Sequence, residues 1–160
     1  MKMNNSGSNN PAGGAQPADG SSGAAGPAAR NAGPGRLLVA VYAVFALSST
    51  ARALFQIATK FNEAPLAYLL SAFAAVVYIV ATVGLAKSGA GSYKVSVAAV
   101  GIEMVGVLAV GIFGLVDPAA LPDDTVWSGF GAGYGYVPLI LPMLGLWWLY
   151  RHRPDAATRS

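Results

Sequence analysis

Apolar and polar positions fall along this chain in long blocks, not in the short alternation of strands. Four apolar runs stand at 37–59, 65–86, 95–116 and 136–150. About 20 apolar residues suffice for a helix to cross the hydrocarbon core of a bilayer, and the first three runs reach that length. The fourth is shorter, and Pro138 and Pro142 predict a kink in it. Within the first run, Tyr42, Phe45, Ser49, Arg52, Gln56, Thr59 and Glu63 recur at steps of three and four, which places them on one helix face. Val41, Val44, Leu54 and Ala58 lie on the opposite face. Tyr68, Ser71, Tyr78 and Thr82 share a face of the second run with Ala75. The third run carries Gly101, Gly106, Gly111 and Gly114, small enough for close helix approach, with Glu103 on the face of Ala99 and Gly106. The pattern predicts an all-α, membrane-embedded four-helix bundle over 36–153.

The flanks read differently. Residues 1–35 are Gly, Ala, Pro, Ser and Asn with almost no large apolar group. Such a segment cannot bury enough surface to offset its ordering entropy, which predicts a disordered tail. Residues 154–160 form a second, short tail. The one long connection, 117–135, holds Asp117, Asp123 and Asp124 and no Lys or Arg. Either Asp123 or Asp124 is placed to cap a short helix through Trp127. The apolar stretch 37–47 followed by Ala51-Arg52-Ala53 also resembles a leader with a cleavage site, but the polar run ahead of it is unusually long for one.

Composition sharpens the membrane reading. Of 160 residues, 54% are hydrophobic and only 11% charged, with mean hydropathy +0.51; a soluble domain has about 25% charged residues. The net charge of +3 does not mark a nucleic-acid binder, because the basic residues sit at the ends of the apolar runs, where they set topology. Lys2, Arg30, Arg36, Lys87, Lys94, Arg151, Arg153 and Arg159 fall on one side of a four-span path, and only Lys60 on the other. That bias predicts both chain ends on the inner, cytoplasmic side of the membrane. Trp147, Trp148 and Tyr150 make an aromatic belt ahead of Arg151, His152 and Arg153.

Candidate chemistry is sparse. With no cysteine and a single histidine, His152, in the terminal tail, neither a thiol nucleophile, a Ser-His-Asp set nor a His/Cys metal cluster can assemble in the bundle. Three loop carboxylates alone do not complete the six to eight oxygens of a calcium site. The reading is therefore no catalytic residues, no metal, no cofactor and no enzyme. Gly133-Tyr134-Gly135 matches the end of a potassium-filter motif, but Gly131 and Ala132 replace its Thr and Val, and the glycines favour a flexible interfacial loop.

The costly residues are Arg52 and Glu103, because a charge at mid-bilayer costs about 2.5–3.5 kcal/mol and must face protein or water. With Gln56 and Tyr78 they form a candidate intramembrane polar site. Their Cα levels differ by about 10 Å at 1.5 Å per residue, and Arg52 leans back toward its own N-terminus. A direct ion pair and a pair bridged by water or by Tyr78 both fit, as does an arginine that rises to the headgroups beside Lys60.

The stretches STARALFQIATKFNEAPLAYLLSA, GIEMVGVL and DDTVWSGFGAGYGYVPLILPMLGLWWL, read together, resemble small four-span integral membrane proteins of actinobacteria. The resemblance covers 36–153. It implies the four-span fold and carries over no functional residues. Partners are then the lipid bilayer and either a membrane protein or further copies of the chain. The leading expectation is a structural or interaction protein, or an accessory subunit of a membrane assembly. The alternative is a small oligomeric transporter or channel using Arg52, Gln56, Tyr78 and Glu103.

Overall fold

The computed structural model describes residues 33–154, and every described helix belongs to one bundle. The expected disordered tail lies outside the described residues except at its end, as does most of the short C-terminal tail. Helix α1 spans Pro34–Lys60, α2 Pro65–Ala86, α3 Ala90–Val116 and α4 Val137–Arg151. Three starts carry a proline in the first turn, at Pro34, Pro65 and Pro138, where its missing N–H costs nothing and its fixed φ favours the helix. Helix α1 therefore begins before the expected boundary at 36. Helix α3 also starts earlier than 95, because Ala90 to Lys94 continue the helix through the polar link.

The helices run alternately up and down. Short connections at 61–64 and 87–89 make consecutive helices antiparallel, and Gly35 at the start of α1 lies against Trp148 near the end of α4. One end of the bundle thus gathers the start of α1, the end of α2, the start of α3 and the end of α4. The other carries the long connection. Packing follows chain order: α1 on α2, α2 on α3 and α3 on α4, while α1 and α4 meet only lightly.

Among the described residues, three helices are long and apolar enough to cross a membrane. Helix α4 has 15 residues, roughly 22 Å at 1.5 Å each, short of the ~30 Å core. It makes a fourth span only together with Ser128–Tyr134, which meets it at 100°. The break falls at Gly135 and Tyr136, both in left-handed conformation. Pro138 starts α4 and does not kink it.

Burial matches a bilayer environment. The inward stripe of α1 is Leu38, Tyr42, Ala46, Ser49, Ala53 and Gln56. Leu37, Val44, Leu47, Leu54 and Phe55 turn outward, as do Leu69, Phe73 and Val76 of α2 and Ile102, Val105 and Ile112 of α3. Large apolar side chains thus cover the outside as well as the core, where Leu38, Val100, Val107 and Leu141 pack with Tyr42, Ser49, Gln56 and Glu103, as suits helices able to span a membrane. The expected polar face of α1 holds through Gln56. Thr59 is exposed, and Glu63 lies past the helix end, exposed and 4.0 Å from Lys60.

Candidate functional site

Glu103 is wholly buried at the heart of the bundle. Helix α3 brings it there on the stripe of Ser96, Ala99, Val100, Val107 and Val110. Across the interior, the Tyr42 hydroxyl of α1 donates to its Oε2 at 2.6 Å. Tyr78 of α2 stands beside Tyr42, ring centroids 6.2 Å apart, within electrostatic reach of the carboxyl group. Oε1 of Glu103 has no hydrogen-bond partner among the protein atoms.

The connection closes over this cluster. Thr125 and Ser128 form a compact turn: the Thr125 amide donates to Ser128 Oγ at 2.9 Å, and the Trp127 amide to Thr125 Oγ1 at 3.1 Å. The turn drives the indole of Trp127 into the bundle, where Nε1–H donates to the Tyr78 hydroxyl at 3.2 Å. The ring packs edge-on to Phe73 at 6.1 Å. It fits because α3 carries glycine at 106, where a Cβ would stand 2.6 Å from the ring. Phe130 finds its place in the same way, over Gly111. Phe130 and Tyr136 adopt positive φ, a conformation that L side chains hold only when surrounding contacts enforce it. Trp127 thus belongs to a buried turn, and the capped short helix expected through it does not form. Asp123 is engaged elsewhere, its Oδ2 accepting from the Tyr68 hydroxyl of α2 at 2.7 Å.

Arg52 is the second tether. Its guanidinium donates to the Tyr134 hydroxyl at 2.8 Å and to the Asp124 carbonyl at 2.9 Å, which fastens the middle and the far end of the loop to α1. A cavity of about 350 Å³ adjoins it, lined by Thr125, Ser128 and Tyr134 among others. Gln56, one turn away, is buried, and its Oε1 has no partner.

The four candidates therefore separate into two places. Tyr78 and Glu103 share the central cluster, whereas Arg52 and Gln56 lie at the loop end. Arg52 and Glu103 do not pair. The reason is level: Tyr42, which reaches Glu103, lies ten residues before Arg52 on α1, roughly 15 Å along the axis. Arg52 is captured by nearer acceptors on the connection. Sequence reasoning missed Trp127 and Tyr134 as partners. The available signal was glycine at 106, one turn from Glu103, too small to fill the interior without a bulky neighbour. Chemically, the cluster can hold a proton or accept one further hydrogen bond at Oε1. Glu103 is not among the residues lining the cavities at the bundle ends and along its outside.

No protein-family model, curated protein sequence or solved structure matches this chain.

Proposed function

We propose that this chain is a structural or interaction protein of the membrane, an accessory subunit of a larger assembly, and not an enzyme. The observation that carries the reading is the closed interior: Glu103 is fully buried beneath a tethered loop, and the Trp127 indole fills the space over Gly106. The small four-span actinobacterial membrane proteins that the chain resembles fit the same architecture. We place it in the bacterial plasma membrane with both described ends inside. Support comes from the uneven split of basic residues, with Arg36, Lys87, Lys94, Arg151 and Arg153 at one end of the bundle against Arg52 and Lys60 at the other. Affinity purification from native membranes in mild detergent, read by mass spectrometry, tests this. A stoichiometric membrane partner is expected; a chain that purifies alone overturns it.

A second reading has one observation in its favour. Three buried oxygens, Oγ of Ser49, Oε1 of Gln56 and Oε1 of Glu103, have no protein partner, and intramembrane carboxyls mark ion and proton pathways. On that reading several copies form a small transporter or channel. Flux in proteoliposomes that Glu103→Gln abolishes, with the fold intact, would select it over the first; absence of flux would remove it.

A further inference from the structure

The light contact between α1 and α4 leaves a furrow down the outside of the bundle. Its cavity of about 270 Å³ is lined by Leu37, Val41, Val137, Ile140, Leu144, Trp148 and their neighbours, every one a Pro, Leu, Val, Ile or Trp. A second, more polar cavity of about 620 Å³ continues from it past Pro34 and Trp148 to Arg36 and His152. At that mouth Arg151 lies over the ring of Trp147, 4.9 Å from its centre. The end of the bundle around the mouth carries Arg36, Lys87, Lys94, Arg151 and Arg153, and among the described residues no Asp or Glu.

We propose that the furrow binds one acyl chain of an anionic phospholipid, with the lipid phosphate among the arginines at its mouth, Arg36 and Arg151. Charge decides the headgroup. Basic side chains near a membrane surface favour anionic lipid, at roughly five-fold per arginine. Shape decides the tail. Helices approach one another in a membrane through Gly, Ala, Ser and Thr, and the furrow has none of these, so a second copy or a partner helix would be held off by Leu, Ile and Trp. A flexible chain can follow such a wall. The α4 side of the furrow, from Val137 to Trp148, is about 16 Å long, the depth of one leaflet's hydrocarbon, ~15 Å.

The proposal is independent of the accessory-subunit reading, and its test is separate. The full chain is reconstituted in phosphatidylcholine vesicles containing equal fractions of either brominated phosphatidylglycerol or brominated phosphatidylcholine, and tryptophan fluorescence is measured. Trp147 and Trp148 line the furrow, while Trp127 contributes alike to both arms. The expected result is markedly stronger quenching by the anionic lipid. Arg36→Gln with Arg151→Gln should remove that preference. Leu144→Phe, on an exposed face with both arginines kept, should lower quenching by narrowing the furrow, and it serves if the double variant fails to fold. Equal quenching in the two vesicles means ordinary surrounding lipid and overturns the proposal. So does a preference that survives both variants, or a furrow closed to both lipids because a second copy fills it.

Discussion

Replacing Gly106 with alanine tests the packing of the loop on the bundle. The new Cβ would stand 2.6 Å from the Trp127 ring. Carbon atoms at rest sit about 3.5–4.0 Å apart, so the indole must retreat by about 1 Å. It has little freedom to do so, being nearly inaccessible, tied to Tyr78 through Nε1 and flanked by Phe73. Overpacking of this kind costs about 1–3 kcal/mol. Alanine regains about 0.5–1 kcal/mol of helix stability over glycine. The net expectation is a loss of ~0.5–2 kcal/mol. The sign should reverse when the obstacle is removed: in a Trp127→Ala background, Gly106→Ala should stabilise by ~0.5–1 kcal/mol. The coupling between the two sites is then about 1–3 kcal/mol. Unfolding by denaturing detergent in bicelles, followed by circular dichroism, gives all four corners of the cycle. Gly101 supplies the control, because a Cβ there meets nothing within 4 Å; Gly101→Ala should stabilise in either background. If Gly106→Ala has the same effect with and without Trp127, within ~0.5 kcal/mol, the indole does not fill that site and the account of a plugged interior falls.

Other perturbations separate the two polar places. Arg52→Ala removes the two guanidinium bonds to the loop, so amide exchange across 123–134 should accelerate and acrylamide should reach Trp127; unchanged exchange would mean that packing and the bonds from Tyr68 and Tyr78 hold the loop without the arginine. Tyr42→Phe leaves Oε2 of Glu103 without its donor, at a cost of ~1–3 kcal/mol in the same unfolding assay, whereas an effect below the ~0.5 kcal/mol resolution of such cycles would show the carboxyl has another partner. Because Arg52 and Glu103 do not touch, the double variant Arg52→Ala with Glu103→Ala should show no mutual rescue and be no more stable than the weaker single variant. Mutual rescue, in which the double variant is more stable than either single one, would restore the ion pair. Tyr68→Phe should loosen the 123–124 region alone, by exchange, and leave the 128–134 segment protected.

Much of this architecture was legible because the bilayer imposes a simple rule. Long apolar runs must be helices, since only a helix satisfies its own backbone in hydrocarbon. That is why 65–86 matched α2 at both ends and why the α1 stripe through Tyr42, Ser49 and Gln56 faced inward as its seven-residue spacing implies. What stayed hidden was the connection. Its conformation depends on consecutive left-handed residues, two of them Phe130 and Tyr136, which no local preference favours. They are held by contacts made elsewhere: Phe130 over Gly111, and the neighbouring segment by Arg52 through Tyr134. A tertiary contact that overrides local preference leaves no periodic trace. The proximity of Arg52 and Glu103 misled for the same reason. Rise per residue gives the height of a Cα within a few ångströms, but the acceptors that captured the arginine came from a loop whose fold the sequence pattern did not specify.

The separation of the two charges has a physical logic. An arginine paired with a glutamate deep in the bundle would have to recover two desolvation costs from one contact, and replacing such a pair with apolar side chains is often neutral or stabilising. Here each group faces a smaller problem. Arg52 stays partly accessible at the loop end and uses neutral acceptors, the Asp124 carbonyl and the Tyr134 hydroxyl, so its charge is directed at holding the connection in place. Glu103 stays where α1, α2 and α3 meet and is served by the Tyr42 hydroxyl and not by a cation. The two are nevertheless linked through the same loop. Arg52 fastens the segment that carries Trp127, and Trp127 occupies Tyr78, the neighbour of Tyr42, which holds Glu103. A partner or lipid that drew Arg52 away would therefore act on the buried carboxyl through the plug, with no direct contact between the charges. The discriminating measurement is acrylamide quenching of Trp127 in the Arg52→Ala protein with and without Tyr78→Phe. Greater exposure in the double variant than in Arg52→Ala alone would mean that the indole is held from both sides. Equal exposure would assign the plug to the arginine tether and leave Tyr78 a bystander.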